Sequence, residues 1–159
     1  MTRKEQYNQL ILQIAGLIKD ETNLVGILAN VSAALHDAFP ERFFWVGFYL
    51  QENGNMLRLG PFQGSVACYV IPFGKGVCGK AWEEERTLIV PDVEKFPGHI
   101  ACSSLSRSEI VVPMYDDSHT FRGVLDIDST RLNDFNEDDK EGLERIIELL
   151  MAETHDLFQ

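Results

Sequence analysis

EIVVPMYDDSHTFRGVLDID, residues 109–128, decides the fold. Two strand-like runs, 109–115 and 121–128, flank the polar stretch Asp116-Asp117-Ser118-His119, which predicts an antiparallel hairpin. In the second run Asp126 and Asp128 are two residues apart, so both point to one face, while Leu125 and Ile127 point to the other, into a core. Two neighbouring acids repel, which raises one pKa unless a cation neutralises them, and an amino-group ligand would serve. Glu109, at the head of the first strand, joins them if the hairpin pairs as read. The plain alternative is a solvated sheet face.

Working outward, FFWVGFYL at 43–50 is aromatic and β-branched, and the turn Glu52-Asn53-Gly54-Asn55 leads into MLRLG at 56–60. VACYVI at 66–71 and TLIV at 87–90 read as further strands, with GVCGKAWEEER at 76–86 as a short helix between them. Alternation in the first run sets Phe43, Trp45 and Gly47 on one face and Phe44, Val46 and Phe48 on the other.

Apolar residues at helical spacing mark two opening helices, Tyr7 to Ile18 and Leu24 to Ala38, with Thr22 and Asn23 as caps and Pro40 as terminator. A closing helix starts at Asn136, carries Glu137, Asp138 and Asp139 in its first turn, and has a stripe of Leu143, Ile146, Ile147, Leu150 and Met151. Its acids read as capping and a solvated face.

Helices at both ends around about six strands indicate an α+β fold: one domain over 1–159, a central antiparallel sheet, terminal helices on one face and a loop-built site on the other. Residues 91–108 have little regular pattern, and a loop of that length inside a compact domain is usually functional.

The 159 residues suffice for a packed core without a disulfide or metal staple. A net charge of -11 argues against nucleic acid and against an anionic membrane surface. No signal peptide or bilayer-spanning stretch is legible, so a cytoplasmic chain with reduced thiols is the expectation.

Three cysteines remain to be explained. Cys102 lies in the irregular loop near His99 and Arg107, either of which could lower its pKa, amid Ser103, Ser104, Ser106 and Ser108. A buried, inert cysteine is the alternative. Cys78, in FGKGVCGK, fits a tight strand-to-helix turn, and Cys68 sits in a strand-like run that suits core burial. With His99 the three thiols make a Cys₃His set that zinc would accept, although the Cys-x₂₋₄-Cys pair usual in structural zinc sites is missing. Trp45 offers an apolar wall for a thioether-sized group.

FFWVGFYL, LGPFQGSVAC, IPFGKGVCG, FPGHIACSSLSRSEIVVP and GVLDIDS, in that order, resemble the free methionine-(R)-sulfoxide reductases, a catalytic branch of the GAF-domain fold. The resemblance runs over roughly residues 7–158, and all three cysteines fall inside its motifs. It implies Cys102 as nucleophile, Cys68 as resolving thiol and Cys78 as a third thiol able to pair with Cys102. It implies that Glu109, Asp126 and Asp128 hold the substrate amine and polarise the sulfoxide oxygen, with Trp45 lining the methyl end. Many relatives carry Asp directly after the catalytic cysteine, where this chain has Ser103.

The implied activity is reduction of free methionine (R)-sulfoxide by way of a sulfenic acid and an intramolecular disulfide, recycled by a thioredoxin-like dithiol without metal or organic cofactor. A non-catalytic GAF sensor is the alternative, and the amphipathic first helix leaves room for a homodimer.

Overall fold

The computed structural model describes residues 1–158. Helices α1 (Arg3–Ile18) and α2 (Leu24–Ala38) are followed by strands β1 (Trp45–Glu52), β2 (Met56–Gln63) and β3 (Val70–Pro72). Helix α3 (Gly76–Glu84) leads to β4 (Leu88–Val90), a single 3₁₀ turn at Val93–Lys95, the hairpin β5 (Ser108–Tyr115) and β6 (Phe121–Ser129), and helix α4 (Glu137–Thr154). The strands form one antiparallel sheet in the order β3-β2-β1-β6-β5-β4, as expected for an α+β domain.

Local chemistry accounts for the element ends. Thr2 and Glu5 form a capping box on α1, Asn23 rather than Thr22 caps α2, and Asn136 caps α4. Asn53 and Gly54 both adopt positive φ, which suits the tight β1–β2 turn.

The sheet separates two cores. On one face Val46, Phe48, Ile110, Val112, Met114, Leu125 and Ile127 pack with the apolar stripes of α1, α2 and α4. On the other, Trp45, Tyr49, Val111 and Val124 pack with Val77, Ala81 and Trp82 of α3. The second face is therefore covered by a helix as well as by loops. Phe43 joins the helical core and Phe44 the opposite one, the reverse of the expected alternation. The pleat begins only at Trp45, so residues 43 and 44 lie outside its period.

Two further expectations are corrected. Of VACYVI, only Val70 and Ile71 lie in a strand; residues 66–69 form a loop that carries Cys68 away from the core. Asp139 is fully buried, not solvated. It accepts hydrogen bonds from Tyr7 Oη at 2.7 Å, Arg3 Nη1 at 2.8 Å, Arg42 Nη2 at 3.0 Å and the Asn136 amide at 2.9 Å. Arg42 itself lies over the rings of Phe39, Phe43 and Phe135. The first turn of α4 is thus fastened to α1 and to the entry of β1.

Candidate functional site

Strand register assembles the acids. Asp128 pairs with Trp45 on one side and with Glu109 on the other, and Asp126 sits between Gly47 and Val111. Two central strands thus bring Glu109, Asp126 and Asp128 to the face opposite the helical core, where Glu109 and Asp126 are only 5% and 6% exposed. The solvated-face alternative fails on this point. Gly47 keeps the arrangement tight, since a Cβ there would stand 2.2 Å from Phe62 Cβ.

Burial dominates the electrostatics. It pushes all three carboxyl groups above their usual range, and for Glu109 and Asp128 the charge of Asp126 adds to the effect. Hydrogen bonds donated by protonated Glu109, Asp128 and Cys78 work the other way on Asp126. Asp126 is therefore raised less than its neighbours and gives up its proton before Glu109 and Asp128 do. Ser106 Oγ donates to Asp128 Oδ1 at 3.0 Å, and His99 Nε2 lies 3.8 Å from Glu109 Oε1. Burial lowers the His99 pKa, so the imidazole favours its neutral form.

These groups form the floor of a cleft of about 540 Å³, counting its open mouth. Phe44, Trp45, Tyr49, Ile71, Val77 and Ile100 form its apolar walls. Trp45 stacks on Phe62 and Tyr49 and donates from Nε1 to the Ser65 carbonyl at 3.0 Å.

At the mouth Cys68 and Cys102 are joined by a disulfide, with Cα atoms 5.4 Å apart. Cys68 is half-buried in its loop, not in the core, and Tyr49 Oη donates to its carbonyl at 2.9 Å. Burial and the nearby acids push the Tyr49 hydroxyl pKa up, so it remains a donor. Cys78 is a free thiol, buried on α3 and lining the same cleft. Burial and the acid cluster push its pKa well up, which keeps it protonated.

All seven residues singled out in the sequence, Trp45, Cys68, Cys78, Cys102, Glu109, Asp126 and Asp128, therefore fall at one cleft or, for Cys68, bonded to a residue that lines it. Arg107 does not: it is exposed, and its backbone pairs with Ser129. The Cys₃His zinc set does not form either, because Cys68 and Cys102 hold each other. Ser103 lines the cleft, and its Oγ accepts from the Leu105 amide at 3.2 Å, shaping the loop locally.

The grip of Tyr49 on Cys68 and of Ser106 on Asp128 was not anticipated. The four-residue spacing of Trp45 and Tyr49, which puts both on one face of β1, was the available signal for the first. Ser106 sits in an irregular loop and gave no comparable signal.

The GAF domain family model matches residues 21–152. GAF domain-containing protein A of Dictyostelium discoideum is 57% identical over 94% of this chain and 92% of its own length. Free methionine-R-sulfoxide reductase of Saccharomyces cerevisiae is 43% identical over 94% and 86%. The crystal structure of free methionine-R-sulfoxide reductase from Neisseria meningitidis in complex with its substrate is 46% identical and superposes with a TM-score of 0.93, covering 98% of this chain and 92% of that one. With identity at this level across nearly the whole chain, on one fold, the protein belongs to the GAF-domain family and, within it, to the free methionine-R-sulfoxide reductases.

Proposed function

We propose that this protein reduces free methionine (R)-sulfoxide to methionine, with Cys102 as nucleophile and Cys68 as resolving thiol. The observation that carries the reading is a disulfide at the mouth of a cleft whose floor holds three buried acids.

The cycle begins with both cysteines reduced. Cys102 sulfur attacks the sulfoxide sulfur while Glu109 or Asp128 gives a proton to the oxygen. The protonated oxygen then passes from the substrate sulfur to Cys102 sulfur. A Cys102 S–O bond forms as the substrate S–O bond and the S–S bond just made both break, so methionine leaves and Cys102 is left as a sulfenic acid. Cys68 thiol displaces that oxygen as water and forms the Cys68–Cys102 bond. A thioredoxin-like dithiol then reduces the bond by exchange and is itself oxidised to a disulfide. The cycle runs on thiols and protons alone.

In this reading Asp126 takes the substrate ammonium, and Trp45 lines the methyl end. Cys78 is a wall of the cleft; its raised pKa makes it a poor competitor for the Cys102 sulfenic acid beside Cys68.

The test is a coupled assay with thioredoxin, thioredoxin reductase and NADPH on the separated sulfoxide epimers. NADPH oxidation is expected with the free R epimer only and is expected to vanish in Cys102→Ser. Turnover that survives this substitution would remove Cys102 from the role. The sensor alternative predicts binding without NADPH oxidation.

A further inference from the structure

We infer that the floor of the cleft is a Zn²⁺-binding site formed by Cys78, Glu109 and Asp126. One donor atom from each of the first three lies within 4.8 Å of the others, and all three side chains are buried. His99, although its Nε2 is 3.8 Å from Glu109 Oε1, is outside this donor set. The site shares only Cys78 with the set suggested by the sequence, and it needs neither cysteine of the disulfide.

The donor chemistry selects the metal. A thiolate suits Zn²⁺ and not Mg²⁺ or Ca²⁺, which take oxygen ligands alone. With two carboxylates it gives three protein donors, and a solvent ligand would fill the fourth position of a set that zinc accepts, with modest contraction of the donors around the ion.

A second observation points to a cation. Asp126 is 6% exposed, yet its Oδ1 is buried and receives no hydrogen bond from any amide, hydroxyl or basic side chain. Its available partners are protons carried by Cys78, Glu109 and Asp128 themselves. Zinc binding replaces shared protons with one ion: Cys78 releases its proton, any proton on Glu109 leaves with it, and the ion bonds to the freed sulfur and oxygens. No oxidation is involved. Strands β5 and β6 and helix α3 hold the donors, so the site is preorganised on regular elements and not on the mouth loops.

The site lies where the proposed substrate ammonium would sit, but its existence does not depend on that reading. In the disulfide form Cys78 is the only free thiol, so a metal–thiolate signal has a single source. The experiment is titration of the oxidised protein with Co²⁺, followed by near-ultraviolet thiolate-to-cobalt charge-transfer absorption, and then displacement by Zn²⁺. One equivalent of Co²⁺ is expected to give the band, Zn²⁺ to erase it, and Cys78→Ser to lack it. In Asp126→Asn the affinity should fall by more than the roughly 10–100-fold typical of losing an outer-shell partner. Absence of the band in the folded wild type, its persistence in Cys78→Ser, or unchanged affinity in Asp126→Asn would each overturn the site. None of these readouts uses turnover, so their failure leaves the reductase reading untouched.

Discussion

Tyr49 shows how one side chain links the sheet to the thiol chemistry. Its ring belongs to the wall of the cleft and its hydroxyl holds the Cys68 carbonyl, so it sets where the proposed resolving sulfur waits. Tyr49→Phe removes that bond at a net cost of about 1 kcal/mol. It should leave the first sulfoxide reduction intact and slow formation of the Cys68–Cys102 disulfide, as followed by rapid quench and thiol labelling. Equal disulfide rates in the two proteins would show that the tether is ornamental. The acids make a sharper prediction about substrate. A carboxylate matched to an ammonium loses its partner when that nitrogen is acylated, and a buried unpaired charge is costly. N-acetyl-methionine sulfoxide should therefore be turned over far more slowly than the free amino acid, and comparable kcat/KM would remove the acids from amine recognition. These residues differed in how readable they were. Asp126 and Asp128 declared a shared face through their spacing, whereas Cys68 looked like core because a β-prone run hid a loop that tertiary bonding shapes.

At the scale of elements, α4 is docked by polar and steric means that its apolar stripe alone would not suggest. Gly142 faces the Tyr7 ring so closely that a Cβ would stand 2.3 Å from it. Gly142→Ala should destabilise the protein by about 1–3 kcal/mol through overpacking, despite the better helix propensity of alanine. Thermal or urea denaturation checks this, and a gain in stability would refute the contact. Arg42→Met should cost at least as much, up to about 3–5 kcal/mol, because it leaves the buried Asp139 carboxylate with Arg3 as its one cation and strips Asp134 of its ion pair. The helices were legible from period and caps, and the central hairpin from its alternation and turn. The role of Asp139 was not, because in sequence a burial anchor and a capping acid at the third helical position look alike. Its partners Arg3 and Arg42 are 136 and 97 residues away.

For the whole molecule, the acid cluster sets activity against stability. Burial, reinforced by the charge of Asp126, holds Asp128 above the usual carboxyl range. The unfolded chain releases that proton near an ordinary pKa of about 4, so the folded state binds more protons above it. The contribution to stability is thus fully present below about pH 4 and is lost as pH rises through the folded-state pKa. Asp128→Asn, which cannot ionise, should raise Tm relative to wild type, with a gain that grows from about pH 4 to about pH 8. A pH-independent difference would show that Asp128 ionises freely in the folded protein. No helix among the described residues is long and apolar enough to cross a membrane.

The register that sets Asp128 between Trp45 and Glu109 has a genetic consequence. In a pleated strand, gaining or losing one codon ahead of Asp126 within β6 sends both aspartates into the helical core and turns Leu125 and Ile127 out toward the thiols. Point substitutions can adjust this active centre a little at a time. A single in-frame insertion or deletion there forfeits fold and chemistry together, so variation in length should accumulate in the hairpin turn at 116–120 and be purged from the strand beside it.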